Sequence, residues 1–248
     1  MPKTVIVVPC YNEARRLLRD AFLDFVGERP DIHLLFVNDG STDATLERLQ
    51  EMQANAPENI TVLHQPRNAG KAQAVRAGML QAFEGDADYV GYWDADLATP
   101  LDEIPLFLET FEAHPTVEIV FGSRVNLLGR NIDRRAIRHV MGRVFATAAS
   151  LTLGLRVYDT QCGAKLFRKS DAMEELFVDP WITNWIFDVE LMARLIRQRA
   201  GTNAPSPAEV IYEQPVRAWH DVAGSKVGPA DFVKAIFEMV AIHYRYLR

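Results

Sequence analysis

The first hundred residues alternate short, unbroken apolar runs with longer segments of helical periodicity. This alternation is typical of a parallel sheet whose strands are connected by helices. The runs are apolar at successive positions rather than at every second one, which indicates strands covered on both faces. We therefore predict an α/β fold with a mostly parallel, doubly wound sheet flanked by helices. Its predicted elements include strands at Thr4–Val8, His33–Val37, Ile60–His64 and Tyr89–Trp93 and a helix over Ala72–Phe83.

The second half of the chain has a less regular pattern. No internal repeat, low-complexity tract or linker divides the sequence, so a single domain over residues 1–248 is expected. The predicted elements of this half are strands at Ile119–Gly122, Ala164–Phe167 and Glu209–Tyr212 and helices over Ile137–Leu153, over Asp188–Arg199 and from Ala230 onwards.

Polar residues follow three of the predicted strands at the points where the strands end. The clusters are Tyr11-Asn12-Glu13, Asn38-Asp39-Gly40 and Asp94-Ala95-Asp96. Ligands of such sheets bind beyond the carboxyl ends of the strands. Because these ends meet at one edge of a parallel sheet, we predict that the three clusters converge on one ligand site.

Asp94 and Asp96 stand two residues apart, so both carboxylates can turn towards one ion if the backbone bends after the strand. Mg²⁺ and Mn²⁺ prefer such oxygen ligands and keep positions for water and phosphate. An isolated pair of this kind is more often a solvated acidic turn. Here the preceding apolar strand, together with Asp39 at the end of a neighbouring strand, favours a Mg²⁺ or Mn²⁺ site.

Composition restricts the expected partners and compartment. The net charge of −6 argues against nucleic acid as a partner. The two cysteines argue against a disulfide framework or a structural zinc site and fit a reducing, cytoplasmic location. The sequence begins with a strand pattern that lacks the features of a signal peptide. The uncharged stretch Val144–Leu155 is too short to cross a bilayer, so any membrane contact is expected to be peripheral, on the cytoplasmic face.

Motifs in both halves resemble those of a known family. In the first half they are Pro9–Glu13, Val37–Asp43, Asn68-Ala69-Gly70-Lys71 and Asp94-Ala95-Asp96, which together resemble the family 2 glycosyltransferases of the Rossmann-like GT-A fold. In the second half they are Asp159–Phe167, Trp185–Leu191, Trp219-His220 and Gly224-Ser225-Lys226, which resemble the dolichyl-phosphate β-glucosyltransferase branch, related to polyprenyl-phosphate mannose synthases. The resemblance implies a nucleotide-binding half over residues 1–100 and an acceptor-binding half over residues 101–248 that ends in an amphipathic helix.

The resemblance also assigns the donor nucleotide to residues of the first half. It implies that Asp39 accepts a hydrogen bond from the base and that Lys71 lies beside the nucleotide. The other predicted donor-binding residues are Pro9, Tyr11, Glu13, Asn68 and Asp94. Asp39 is alternatively an N-cap or turn residue, and both roles hold if Ser41 or Thr42 caps the following helix.

A basic run crosses the start of the second half, at Arg124, Arg130, Arg134, Arg135 and Arg138. Such a run is usually a solvated face. The resemblance implies that some of these residues bind the acceptor phosphate or the diphosphate, and Arg124 and Arg134 are the predicted phosphate ligands. Guanidinium groups match phosphate oxygens in bidentate fashion. Ser225 and Lys226 are predicted to bind phosphate from a loop that closes over the donor.

Asp159 and Asp188 are the predicted catalytic residues, because they match carboxylates of the polyprenyl-phosphate branch and of the wider family. A phosphate acceptor is already ionised and needs positioning more than deprotonation, which favours Asp159 as an orienting group. Asp188 is alternatively the cap of the helix that begins there. The predicted metal ligands are Asp96, Asp94 and His220, although a lone histidine is more often structural.

The last helix has apolar residues at helical spacing on one side. These residues, together with one histidine, are Phe232, Ile236, Met239, Val240, His243 and Leu247. Two interpretations are open: this side packs on the core, or it lies on a bilayer surface.

The resemblance implies an inverting transfer of a hexose, glucose, from UDP-glucose to a polyprenyl or dolichyl phosphate. A divalent metal and a basic loop would stabilise the leaving nucleoside diphosphate. One alternative is a family member that acts on a saccharide or protein hydroxyl, for which Asp188 or Asp159 must act as a base. A non-catalytic nucleotide-sugar-binding module is another. The first strand leads to no Gly-x-Gly-x-x-Gly turn, which argues against a nicotinamide oxidoreductase.

Overall fold

The computed structural model describes residues 2–133, 136–222 and 229–248, of which residues 133, 136–140 and 229–233 are described by their backbone alone. The chain forms two compact units. The first contains the chain up to Leu97 together with Gly163–Pro180, and the second contains Ala98–Cys162 and Trp181–Arg248. The predicted division after residue 100 lies near the first boundary, but Gly163–Pro180 returns to the first unit. Whether the whole chain is a single domain stays a prediction.

The described elements follow one another along the chain as strands and helices of ordinary length. The strands are β1 (Thr4–Cys10), β2 (Ile32–Asp39), β3 (Ile60–Gln65), β4 (Tyr89–Trp93), β5 (Ile119–Ser123), β6 (Asn131–Asp133), β7 (Ala164–Arg168), β8 (Ile211–Pro215) and β9 (Ala218–His220). The helices are α1 (Arg19–Glu28), α2 (Thr45–Asn55), α3 (Lys71–Glu84), α4 (Ile104–Ala113), α5 (Ala136–Leu153), α6 (Asp171–Val178), α7 (Phe187–Arg199), α8 (Pro207–Val210) and α9 (Pro229–Tyr246).

The sheet of the first unit has the strand order β3-β2-β1-β4-β7. Strand β1 is parallel to β2 and β4, β2 is parallel to β3, and β7 alone is antiparallel to its neighbour β4. The predicted mostly parallel sheet is therefore confirmed. Helix α3 packs closely on β1 and β2, because a side chain at Gly78 would overlap those of Val7 and Val37. This packing covers the apolar runs that predicted the strands.

In the second unit, β5 pairs with β8 and β6 pairs with β9, both in parallel. Helices α5, α7 and α9 pack on one another. The predicted strand Glu209–Tyr212 is wrong in its first half, where the chain forms the short helix α8. Pro207 suits the first position of a helix, and the Glu209 carboxylate accepts a hydrogen bond from Ser206 N at 2.7 Å. These local features outweigh the apolar pattern until Ile211.

Helix α9 buries a different side from the predicted stripe. Among its residues from Lys234 onwards, whose side chains the structure describes, Ala235, Met239, Ile242 and Tyr246 are buried. Of the predicted stripe, Met239 is buried, whereas Ile236, Val240 and His243 are exposed; the side chain of Phe232 lies outside the described part of the chain. Over the described residues, no helix combines the length and the apolar character that crossing a bilayer requires.

Candidate functional site

The backbone turns immediately after β4, where the predicted metal ligands stand. Leu97 N donates a hydrogen bond to Asp94 O at 3.2 Å, and Leu97 has a φ of +52°. A positive φ is uncommon for a residue with a branched side chain, so the surroundings must hold this turn. Part of this support comes from Gly163, directly before β7, since Asp94 N donates to Gly163 O at 2.9 Å. The backbone thus turns over residues 94–97, which contain both predicted carboxylate ligands.

The Asp94 carboxylate lies against Gly163 and binds a lysine. Lys71 Nζ is 2.5 Å from Asp94 Oδ1, and the two side chains are 45% and 32% exposed. A Cβ atom at residue 163 would overlap the Asp94 carboxylate, so only glycine leaves room for it there. Gly163 lies within the motif Asp159–Phe167, which by itself indicates no role for this glycine. The glycine directly before a strand was the only local signal.

Asp39, at the end of β2, holds the loop that leads to Lys71. The side chain is 2% exposed, and its two oxygens accept hydrogen bonds from Ala69 N at 2.8 Å and Gly70 N at 2.9 Å. Gly40 has a φ of +60°, and a side chain there would overlap the backbone of Arg67 and Asn68. The loop therefore packs directly on the end of β2. A carboxylate offers about four acceptor positions, so Asp39 keeps capacity for a further donor such as a base N–H.

The alternative capping role of Asp39 is wrong, because Asp43 binds the start of α2. Asp43 accepts hydrogen bonds from Thr45 N at 3.0 Å and Ala14 N at 3.2 Å. Ser41 and Thr42 do not cap this helix either, since they bind a residue of the β1 loop. Asn12 N donates to Ser41 Oγ at 3.0 Å, and Thr42 N donates to Asn12 Oδ1 at 2.8 Å. The loops after β1 and β2 are tied together by these bonds.

Glu13, a predicted nucleotide ligand, is buried and binds Arg16. Arg16 Nε donates to Glu13 Oε2 at 2.8 Å, and Glu13 N donates to Thr45 Oγ1 at 2.8 Å. The hydrogen bond to Glu13 raises the pKa of Arg16, and the negative charge of Asp96 adds to this effect. Arg16, which sequence reasoning did not select, therefore connects the β1 loop electrostatically with the turn after β4. The nucleotide-binding roles of Glu13, Pro9 and Tyr11 stay predictions.

In the second unit, two predicted site residues bind each other. Arg124 Nε lies 2.6 Å from Asp159 Oδ2 and Arg124 Nη2 lies 2.7 Å from Asp159 Oδ1, which is a bidentate pair. The side chains are 12% and 7% exposed. The guanidinium also stacks over Trp219, 5.3 Å from the ring centre. The predicted phosphate ligand and the predicted catalytic carboxylate thus form one buried group.

Glu213 of β8 supports the backbone of this pair. Its carboxylate accepts hydrogen bonds from Tyr158 N and Asp159 N, each at 2.8 Å. Burial raises the pKa of Glu213, and the charge of Asp159 adds to the rise. Arg143 donates to Tyr158 O at 2.8 Å and stacks over the Tyr158 ring at 3.7 Å. Neither Glu213 nor Arg143 was predicted as a site residue, because each side chain binds backbone atoms of residues that are distant in the sequence.

Asp188 is buried in the first turn of α7, but it does not cap that helix. The N-cap position is Ile186, which makes no side-chain cap hydrogen bond. The nearby N–H groups bind Glu238 of α9 instead, with Asn184 N at 3.1 Å and Ile186 N at 3.3 Å from its carboxylate oxygens. The capping alternative for Asp188 is therefore wrong.

Comparison with known proteins decides the family. A model of glycosyl transferase family 2 matches residues 5–176. The chain belongs to this family. It is a glycosyltransferase, and the resemblance predicted from its motifs is confirmed.

Two relatives and one solved structure illustrate how far the similarity extends. A dolichyl-phosphate beta-glucosyltransferase of Trichomonas vaginalis is 31% identical, covering 98% of this chain and 72% of the relative. The dolichyl-phosphate beta-glucosyltransferase of Saccharomyces cerevisiae is also 31% identical, covering 98% of this chain and 74% of the relative. A crystal structure of glucosyl-3-phosphoglycerate synthase from Mycobacterium tuberculosis with Mn²⁺ and UDP-glucose superposes with a TM-score of 0.65 at 17% identity, covering 97% of this chain and 77% of that one. This similarity confirms the α/β GT-A fold.

The residues of this family 2 glycosyltransferase suit a hard divalent cation. Asp94 and Asp96 supply carboxylate oxygens at a turn, and Asp94 is partly open to solvent. In the part of the chain that the structure describes, no group of three or more His, Cys, Asp or Glu side chains is arranged to hold a metal ion. Phosphate and water oxygens would therefore have to complete the coordination. His220 belongs to β9 of the second unit, where its side chain is exposed and its N donates to Ala98 O at 2.9 Å; its metal role stays a prediction.

Three predicted phosphate ligands, Arg134, Ser225 and Lys226, lie outside the described residues. Asn68 is exposed in the loop held by Asp39, and its Nδ2 donates to Asp39 O at 3.3 Å. The structure thus brings Asp39, Asn68, Lys71 and Asp94 together within the first unit and pairs Arg124 with Asp159 in the second.

Proposed function

We propose that this glycosyltransferase transfers glucose, with inversion at the anomeric carbon, from UDP-glucose to a polyprenyl or dolichyl phosphate. The observation that carries the proposal is the turn at Asp94–Asp96, which is flanked by Lys71 and the loop bound to Asp39. The relatives described above, aligned over 98% of this chain, are named for glucose and dolichyl phosphate, which supports both parts of the substrate assignment.

The first unit is proposed to bind the donor. Asp39 would accept an N–H from the base, and Lys71 would give the diphosphate a charge-assisted hydrogen bond. Asp94 and Asp96 would hold Mg²⁺ or Mn²⁺. The bound ion would act as a Lewis acid and neutralise charge on the diphosphate. The bound Mn²⁺ and UDP-glucose of the glucosyl-3-phosphoglycerate synthase structure support this donor and metal class.

Arg124 and Asp159 are proposed to serve the acceptor. A phosphate monoester is ionised near neutral pH, so its oxygen can attack without losing a proton to the protein. Both Asp159 oxygens already accept hydrogen bonds from Arg124, which suits the carboxylate to orient the guanidinium rather than to remove a proton. Such an oriented guanidinium is a good partner for phosphate oxygens.

Exposed apolar residues on α9 support a lipid-linked acceptor. Ile236, Phe237, Val240 and Tyr244 are exposed, with Phe237 at 71%, and they recur at helical spacing. Arg245 on the same helix and Arg248 just after its end add exposed positive charge. An amphipathic helix with aromatic, aliphatic and basic residues is suited to lie in a bilayer interface. We propose that the protein contacts the cytoplasmic membrane face through this side of α9.

The decisive experiment measures transfer from a panel of UDP- and GDP-sugars, with Mg²⁺ or Mn²⁺, in the presence and absence of polyprenyl phosphate. The proposal expects UDP-glucose to be the preferred donor and polyprenyl phosphate to stimulate its consumption. No stimulation with any donor would overturn the acceptor assignment. Donor binding without transfer to any phosphate, saccharide or protein acceptor would favour a non-catalytic nucleotide-sugar-binding module.

A comparison of Asp159→Asn with Asp188→Asn separates the two catalytic alternatives. The phosphate-acceptor proposal expects the larger loss of transfer in Asp159→Asn. A large loss confined to Asp188→Asn would favour a hydroxyl acceptor, because a hydroxyl needs a general base.

A further inference from the structure

Asp94 is a proposed metal ligand, but in the structure its carboxylate forms an ion pair with Lys71. Lys71 Nζ is 2.5 Å from Asp94 Oδ1. A Mg²⁺ ion would need an oxygen of the same carboxylate within about 2.0–2.1 Å, and Mn²⁺ would need direct contact in the same way. A divalent ion and an ammonium group that share one carboxylate repel each other at such short range. Metal binding at Asp94 would therefore weaken the ion pair and favour movement of Lys71 away from the carboxylate.

The surroundings allow the lysine to move and hold the backbone of Asp94 in place. Asp94 N donates a hydrogen bond to Gly163 O, and the Asp94 carboxylate lies against the same glycine. The Lys71 side chain is 45% exposed, and an exposed ion pair of this kind is weak. The lysine has a long flexible stem, whereas its backbone begins α3 and is held by the loop that Asp39 binds. Exchange at Asp94 thus requires only a side-chain movement.

We propose that Lys71 occupies the cation position at Asp94 in the donor-free protein and exchanges with the divalent ion when the nucleotide diphosphate arrives. The inference rests on the proposed donor site. The diphosphate offers Lys71 an alternative anionic partner, so the metal meets less competition once the nucleotide is bound. Metal and nucleotide therefore bind with positive coupling, and Lys71 transmits part of that coupling.

If Lys71 exchanges with the metal, replacing Lys71 should change the affinities for Mn²⁺ and for UDP in opposite directions. Lys71→Met leaves Asp94 without its competing cation, so Mn²⁺ alone should bind about fivefold more tightly. UDP alone should bind more weakly, because the variant lacks a cation for the diphosphate. The factor by which UDP increases Mn²⁺ affinity should consequently fall. Linkage requires the effect of Mn²⁺ on UDP affinity to fall by the same factor.

The test measures free Mn²⁺ by electron paramagnetic resonance during titration of the full chain, with and without UDP. Lys3→Met is the matched control, because Lys3 forms an ion pair with Asp86 in the same unit and its loss changes the net charge equally. Lys71→Arg keeps a cation at the site and should remain near the wild-type Mn²⁺ affinity. Thermal unfolding of each variant shows whether it is folded.

Three outcomes separate the inference from the proposed function. Tighter Mn²⁺ binding and reduced coupling in Lys71→Met, with Lys3→Met unchanged, support the exchange. Unchanged or weaker Mn²⁺ binding in Lys71→Met, with coupling at the wild-type value, overturns the exchange and leaves the metal site intact. A wild-type protein that binds no Mn²⁺ even with UDP overturns the proposed metal site and the exchange with it.

Discussion

Gly163→Ala tests whether donor binding depends on the position of the Asp94 carboxylate against Gly163. An added Cβ would stand 2.6 Å from Asp94 Oδ1, and the other carboxylate atoms would be closer still. Ordinary contact begins at 3.4 Å, so Oδ1 must move by about 0.8 Å, the difference between the two distances, and Oδ2 and Cγ must move further. The side chain is short and partly exposed, so it can move without disturbing the core.

The expected losses of stability and of function differ in size. Moving Asp94 off its rotamer costs about 0.5–1.5 kcal/mol, and losing an exposed ion pair costs about 0–1 kcal/mol. The free energy of unfolding should therefore fall by only about 0.5–2.5 kcal/mol. Misplacing a reacting or binding group by about 1 Å can reduce turnover roughly 100-fold. We expect a folded variant with a severe loss of metal-dependent donor use.

Urea unfolding, titration with Mn²⁺ and UDP, and transfer from UDP-glucose measure these effects in one preparation. Gly27→Ala is the control, because it adds the same methyl group in α1 of the same unit with no atom within 4 Å. This control should keep wild-type binding and at least wild-type stability, because alanine is favoured over glycine in a helix. Wild-type Mn²⁺ and UDP affinity in folded Gly163→Ala would refute the reasoning, since it would mean that the position of Asp94 does not matter to the donor site.

Three further predictions concern the supporting contacts. Asp39→Ala removes the hydrogen-bond acceptor of Ala69 N and Gly70 N. It should lower the free energy of unfolding by about 1–3 kcal/mol and weaken UDP binding. An unchanged UDP affinity in calorimetric titration would contradict the role of the loop. Arg124→Ala and Asp159→Ala should each destabilise by about 3–5 kcal/mol, and the double variant by less than their sum; additive losses in urea unfolding would show that the buried pair is not coupled. Burial raises the pKa of Glu213 in the folded protein above its value in the unfolded chain. Between these two pKa values the folded protein holds a proton that the unfolded chain has lost. The contribution of Glu213 to stability therefore falls as the pH rises from the unfolded-state pKa to the folded-state pKa. Glu213→Gln should flatten this part of the stability–pH curve, and an unchanged slope would show that Glu213 does not titrate there.

The sequence by itself determined the α/β class, most of the elements and the position of the donor motifs. β4 was predicted at Tyr89–Trp93 and is observed with those bounds, because an unbroken apolar run between polar residues is a local property. The Asp94–Asp96 cluster was recognised for the same reason, since it follows that strand directly. The strand predicted at Glu209–Tyr212 failed in its first half because a proline and a capping glutamate also act locally and favour a helical turn.

Only the tertiary structure decided which partner each site residue has. Asp39 binds N–H groups thirty residues away, Asp94 lies against Gly163, and Arg124 pairs with Asp159. Helical periodicity likewise identified an apolar stripe on α9 but not the side that its neighbours cover. A hydrogen bond or steric contact depends on side-chain positions a few ångströms apart in space. Local patterns specify strands and helices, whereas such distances are set only when the packed elements bring distant segments together.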